Sequence, residues 1–267
     1  MTQRLRSTDG TPIAVETVGQ GPAVVLVDGA FGNRASGPNV ATASLLAPRF
    51  TVYRYDRRGR GGSGDKPRYE AEREIEDLNT LIEAAGGFAH VFGTSSGGNL
   101  ALRAAASGLW ITKLAVWEPN FIADGARPPL PGDYVDHLNE LVGSNRRGDA
   151  VAYFMTAAVG VPAEFVAPMR HLPMWPTLEA AAHTLAYDGT IVAQHMSGAT
   201  PSAEEWSAVT MPTLVLDGAS SPWLSVGADA LVDALPNARR RTLAGQQHDV
   251  EAVVLAPALI EFFEGGW

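Results

Sequence analysis

Ser95 stands at the centre of Gly93-Thr94-Ser95-Ser96-Gly97, after the apolar run Ala89-His90-Val91-Phe92 and before a helical-period segment that begins at Gly98. GxSxG between a strand and a helix forces the central serine into a strained, exposed conformation, and its two glycines remove side chains that would clash there. Those residue types in that order suit a nucleophile, and Ser95 is the candidate. Ser96 is not, because Thr94 stands two positions before it where the turn needs glycine; its backbone N–H would instead form half of an oxyanion hole. A serine is activated by an imidazole, which needs a carboxylate on its other nitrogen to hold the tautomer and stabilise the cation. Two acids terminate strand-like runs: Asp217 in Thr213-Leu214-Val215-Leu216-Asp217, and Glu118 in Ala115-Val116-Trp117-Glu118, 23 residues past Ser95.

Elements must hold these residues in place, and the hydrophobic rhythm indicates which. Short runs rich in Val and Ile alternate with helical-period segments up to about residue 118 and again from about residue 212, the pattern of βαβ units. The spacing predicts strands over Ile13 to Val18, Ala23 to Val27, Thr51 to Tyr55, His90 to Phe92, Leu114 to Trp117, Thr213 to Leu216 and Arg240 to Leu243. Helices are expected over Glu72 to Ala85, Gly98 to Ala106 and Asp249 to Phe263. Residues 119–208 break the rhythm, holding half of the 18 prolines and only helical or irregular patterns such as Val135, Leu138, Leu141 and Val142. The fold class is therefore α/β, with a core over 1–118 and 209–267 and an all-helical insertion over 119–208. Four of the six methionines (Met155, Met169, Met174, Met196) fall in that insertion beside Phe154, Phe165 and Trp175. Packing of the insertion onto the body and lining of an apolar ligand pocket are both open readings of that set.

Composition excludes several classes of function. The 267 residues are 46% hydrophobic and 18% charged, with mean hydropathy near zero, enough apolar material for a large core. A formal net charge of −9 repels phosphate backbones and anionic lipid, so no nucleic-acid partner and no membrane partner is expected. The absence of cysteine removes disulfides, thiolate metal sites and cysteine nucleophiles. No spacing of histidines and carboxylates suggests zinc, and the glycines around Gly59, Gly61, Gly62 and Gly64 lack a phosphate-loop signature, so neither a metal nor another cofactor is expected. The first residues carry no apolar stretch of the signal-peptide kind and no window is apolar enough to span a membrane, which makes the cytoplasm the expected location.

The segment Val25-Leu26-Val27-Asp28-Gly29-Ala30-Phe31-Gly32 is placed to supply the second oxyanion donor, from Gly29 or Ala30. Through this loop, the Asp56-Arg57-Arg58-Gly59-Arg60-Gly61-Gly62-Ser63 stretch, the serine turn and the C-terminal acid and histidine segments, the chain resembles the α/β-hydrolase superfamily. That resemblance implies a mostly parallel central sheet with helices on both faces, and makes the 119–208 insertion a lid. It also selects His248, in Gly245-Gln246-Gln247-His248-Asp249, as the base among six histidines; His90 opens the serine strand and reads as structural, and His137, His171, His183 and His195 lie in the insertion as solvated or packed residues, one of which could touch substrate. Most superfamily members take their acid at the position of Asp217, 31 residues before His248, and a minority at that of Glu118. Zearalenone-type lactone hydrolases belong to the minority and are similar to this chain in size, in an Asp-Gly oxyanion loop, in the Gly-x-Ser-Ser-Gly turn and in the glutamate, but they lack an aspartate matching Asp217. Asp217 is the preferred acid, with Glu118 as the alternative. Many superfamily members have His-Gly where this chain has Asp28-Gly29, so Asp28 must be hydrogen-bonded away, protonated or turned to substrate.

The activity that this resemblance implies is that of a serine hydrolase for a hydrophobic ester or lactone, cofactor-free, acting as a monomer or homodimer. Asp28, Phe31, Phe154, Met155 and Trp175 are the candidate substrate contacts. Carbon–carbon bond hydrolysis or perhydrolysis on the same residues, and a ligand-binding or biosynthetic protein on this scaffold, are the alternatives.

Overall fold

A computed structural model describes residues 2–265. Eight strands form one sheet: β1 (Thr2–Arg6), β2 (Pro12–Gly19), β3 (Ala23–Val27), β4 (Thr51–Tyr55), β5 (Ala89–Thr94), β6 (Ile111–Trp117), β7 (Thr213–Asp217) and β8 (Ala238–Thr242). Their order is β1-β2-β4-β3-β5-β6-β7-β8, with the β1–β2 and β2–β4 pairings antiparallel and the other five parallel. The α/β expectation is met: β3, β5, β6 and β7 occupy the centre, where helices cover both faces, and β5, β6 and β7 are nearly continuous in apolar residues as such strands should be.

Alternation along each strand splits the core in two. Val25, Val27, Val91, Leu114, Val116 and Val215 face one apolar cluster, whereas Val24, Leu26, Phe92, Ala115, Trp117 and Leu216 face the other. The first lies under α2 (Ala71–Ala84), α3 (Ser96–Ala106) and the helices between β6 and β7; the second lies under α1 (Pro38–Leu46) and the C-terminal helix. Between β6 and β7 run α4 (Tyr134–Gly143), α5 (Arg147–Tyr153), a π-helical turn over Phe154–Val159, α6 (Ala163–Met169), α7 (Trp175–Ala181) and α8 (Leu185–Val192). After β7 comes α9 (Pro222–Ala234), and α10 (Ala252–Glu264) closes the chain. No helix among the described residues is long and apolar enough to cross a membrane.

Three elements are absent from the sequence expectations. β1 is an exposed edge strand of polar residues, and α1 turns Asn39 and Thr42 inward, so neither shows an apolar stripe. α9 buries Leu224, Gly227, Ala228 and Leu231, an i, i+3, i+4, i+7 set diluted by small residues; a Cβ on Gly227 would collide with the Phe121 carbonyl. β8 begins at Ala238, two residues before its expected start. In α2 the inward face holds Glu74 and Asp77 as well as Leu78, Leu81 and Ile82, because two buried arginines wait beneath it.

Candidate active site

Ser95 follows β5 directly and adopts φ 53° and ψ −129°, a left-handed conformation costly for any side chain. Neighbours enforce it: a Cβ at Gly93 would strike the Gly97 carbonyl, and one at Gly97 would strike the main chain of Val27 and Asp28. The Ser95 N–H donates to Trp117 O at 2.9 Å, tying the turn to β6. The hydroxyl donates to Asn120 Oδ1 at 3.2 Å. Asn120 is pinned by Asn99, whose Oδ1 accepts the Asn120 N–H at 2.8 Å and whose Nδ2 donates to Asn120 O at 3.1 Å.

Glu118, one residue past β6, is buried at φ 43°, a second strained position. Its Oε2 lies 2.7 Å from His248 Nδ1, and its Oε1 accepts the Gly218 N–H at 3.1 Å. His248 is also held through its carbonyl, which accepts the Trp117 indole N–H at 2.9 Å. The preferred acid of the sequence reading sits elsewhere. Asp217 receives Arg240 Nε and Nη2 at 3.1 and 2.8 Å, the Ser225 hydroxyl at 2.6 Å and the Thr242 hydroxyl at 2.8 Å. Burial alone would raise its carboxyl, but these bonds, with Arg240 foremost, hold it below the ordinary carboxylate range. Asp217 therefore braces β7 to β8 and α9, and among the described residues Glu118 is the carboxylate on His248. Trp117 pairs with Leu216, so Glu118 is level with Asp217; Asp217 goes on to pair with Thr242 of β8, whereas Glu118 leaves the sheet at φ 43° and meets the C-terminal loop.

Of the three expected oxyanion residues, Gly29 is differently engaged, since its N–H donates to Thr94 Oγ1 at 3.2 Å. The N–H groups of Ala30 and of Ser96, first residue of α3, have no protein acceptor among the described residues, and both residues line the cavity at Ser95. Gly29 must be glycine for another reason: a Cβ there would lie 2.9 Å from the Ser95 Cβ.

Asp28 is buried and accepts Asn39 Nδ2 at 2.8 Å. Burial pushes its carboxyl up to about 7, against the Asn39 bond and the charges of Arg60, Arg57 and Arg54. Asn39 Oδ1 is a buried acceptor with no partner in the structure. Because the native carboxyl titrates higher than an unfolded one near ~4, its contribution to stability is complete below about pH 4 and is lost as pH rises to about 7. Asp28→Asn is expected to flatten that part of the stability curve and to preserve activity above about pH 7, where an ionised Asp28 opposes charge developing at the neighbouring loop. Thermal melts and rates across the pH range check both expectations.

The charged side chains of the 56–63 turn are paired within the chain. Asp56 accepts the N–H groups of Arg34 and Gly62 at 2.7 Å each, and Arg58 makes a two-pronged pair with Asp77 at 2.8 Å on both arms. Arg57 grips Glu74 through two 2.7 Å bonds and reaches Asp188 of α8 at 2.8 Å. Asp188 also accepts Arg60 Nη2 at 2.6 Å and the Ser96 hydroxyl at 2.7 Å. Asp188 carried no signal in the sequence, where it is one acid in a helical run.

A cavity of about 960 Å³ opens over Ser95 and His248 at the carboxyl ends of β3, β5 and β6. Asp28, Phe31, Phe154 and Met155 line it, as do all four methionines of the β6–β7 segment. Phe31 and Phe154 meet edge to face at 5.4 Å. Trp175 does not line it: this side chain is buried, donates to Glu179 Oε1 at 3.0 Å and lies under Arg170. On α7 the cavity is lined by Thr177, Leu178, Ala180 and Ala181, while the Trp175 indole at the first position of the helix is committed to Glu179. Trp223, at the start of α9, lines the cavity instead, and only recognition of that helix would have revealed it. Among the described histidines His248 alone reaches the cavity; His90 stacks on Phe263 at 4.9 Å and His195 lies 2.8 Å from Glu205. No group of histidines and carboxylates among the described residues is arranged to hold a metal ion.

The fold recurs in known proteins. The chain is 53% identical to an α/β hydrolase from Sphaerobacter thermophilus DSM 20745, with a TM-score of 0.89 over 98% of this chain and 100% of that one. Its fold is also that of an esterase from Thermogutta terrifontis (21% identity, TM-score 0.67, 99% and 98% covered) and of the enol-lactonase from Burkholderia xenovorans LB400 (20%, 0.67, 98% and 100%). No curated protein shows a significant match. Residues 24–260 match the profile described as the alpha/beta hydrolase family, and with a strained serine, a histidine and a buried glutamate gathered at the carboxyl ends of a parallel sheet, the chain belongs to that family.

Proposed function

We propose that the protein is a serine hydrolase that cleaves an apolar, uncharged ester or lactone, with Ser95 as nucleophile, His248 as base and Glu118 as the orienting acid. The observation that carries the reading is the 2.7 Å contact between His248 Nδ1 and buried Glu118, on a histidine that shares its cavity with Ser95. Glu118 holds the proton on Nδ1, leaving Nε2 to take the Ser95 proton as the hydroxyl leaves Asn120 and attacks the carbonyl carbon. The carbonyl oxygen becomes an oxyanion facing the N–H groups of Ala30 and Ser96. Collapse of the tetrahedral intermediate expels the alcohol, protonated by His248, and water activated by the same histidine then cleaves the acyl-enzyme. The helices between β6 and β7 act as a lid, and their methionines present an adaptable apolar wall to the substrate.

The test is intact-mass analysis after treatment with a small fluorophosphonate, followed by peptide mapping. One phosphonyl group on Ser95, lost in Ser95→Ala, is the expected result, and hydrolysis of aryl esters and lactones should follow in a substrate screen. A folded protein that stays unlabelled in excess reagent overturns the reading.

A further inference from the structure

The Ala30 N–H belongs to the same rigid peptide unit as the Gly29 carbonyl, so whatever holds one atom orients the other. Glycine is required at position 29 by the approach to Ser95, and glycine leaves its peptide free to rotate. A lock is therefore needed. Gly32 N–H reaches Gly29 O at 3.3 Å, a long turn bond. Arg60 Nη1 donates to the same oxygen at 2.6 Å, a short charge-assisted bond. The other arm of Arg60 holds Asp188 Oδ2 at 2.6 Å, while Asp188 Oδ1 accepts the Ser96 hydroxyl at 2.7 Å and Arg57 at 2.8 Å. One buried carboxylate on α8 is thus joined directly to one oxyanion residue and, through Arg60, to the peptide of the other.

We propose that Arg60 and Asp188 are positioning residues for the oxyanion hole: Arg60 fixes and polarises the Gly29–Ala30 peptide from its carbonyl side, and Asp188 registers that peptide against Ser96. The inference rests on the serine-hydrolase reading above. A guanidinium on the carbonyl oxygen draws electron density from the amide and strengthens its N–H as a donor. Because Asp188 lies on the segment between β6 and β7, the hole is complete only while α8 is seated on the core. Helical cover and oxyanion geometry are then one structural unit.

The experiment compares the wild type with Arg60→Met and Arg60→Lys, the second retaining the buried charge should the first fail to fold. Three quantities are measured: the fluorophosphonate labelling rate, the affinity for an apolar trifluoromethyl ketone, which adds Ser95 and places an oxyanion in the hole, and the affinity for the matching alcohol, which does not. Arg60→Met is expected to slow labelling and weaken the ketone about 10-fold to 100-fold, short of the ~10²–10³ cost of deleting a donor outright. Arg60→Lys recovers part of the loss, since a single ammonium cannot fork between Gly29 O and Asp188. The alcohol should bind within about two-fold of wild type, because only the charged adduct uses the hole. Equal losses for ketone and alcohol, or no loss for the ketone, overturn the inference. A wild type that is unlabelled at Ser95 overturns the serine-hydrolase reading itself, and the inference with it.

Discussion

Glu118→Gln is expected to lower kcat by about 10³- to 10⁴-fold with little change in KM, because a neutral amide no longer enforces the Nδ1–H tautomer or stabilises the imidazolium. The carboxylate is buried, and its two oxygens serve His248 at 2.7 Å and the Gly218 N–H at 3.1 Å. Asp217 does not replace it, because its oxygens are committed to Arg240, Ser225, Thr242 and the Ala219 N–H. Asp217→Asn should therefore leave kcat within a few-fold and act on stability, costing about 1–3 kcal/mol by leaving Arg240 with a weaker partner. Since the native Asp217 carboxyl titrates low, its contribution is present at neutral pH and is lost as pH falls through its native value. The thermal-stability gap between wild type and Asp217→Asn should thus narrow in acid. Steady-state kinetics and melting curves on the two variants separate the roles; a kcat collapse in Asp217→Asn with activity retained in Glu118→Gln would reverse the assignment.

Arg57→Met is expected to destabilise the protein by about 3–5 kcal/mol, the cost of breaking a buried ion pair by removing one partner. Arg57 is fully buried, with two bonds to Glu74, one to Asp188 and a longer one to Asp28 O at 3.2 Å. Its loss strands Glu74 in the core with only the Tyr69 hydroxyl left on it at 2.7 Å, while Asp188 keeps Arg60 and the Ser96 hydroxyl. At this chain length the melting temperature should fall by about 10 °C. Adding Glu74→Met removes one stranded charge and should recover a measurable part of the loss in a double-mutant cycle. Denaturant melts of the single and double variants test this; equal stabilities for wild type and Arg57→Met would show that the buried cluster contributes nothing.

Much of this site is legible in one dimension because local sterics and local order suffice for it. The Gly93-to-Gly97 turn is a five-residue constraint, and strand alternation at Val24 to Val27 divides the core by period two alone. His248 follows from its place in the order of elements that the family resemblance implies. Neither Asp188 nor Trp223 can be read this way, since each matters only through contacts with residues far along the chain: Asp188 meets Arg57 and Arg60 across more than a hundred positions. α1 shows no helical apolar stripe because its inward face carries Asn39 and Thr42, and Asn39 is inward to meet Asp28.

By itself, then, the sequence determined the α/β rhythm, the serine turn and the two acids at strand ends, because each depends on short-range periodicity or on steric rules within a few residues, while the histidine was singled out by the family resemblance. Only the tertiary structure decided between the acids. Glu118 and Asp217 end neighbouring parallel strands with equivalent local patterns, and their roles diverge because β7 has the arginine-bearing edge strand β8 beside it. Arg240 on that strand saturates Asp217, and the glutamate, one methylene longer and aimed into the C-terminal loop, is left for His248.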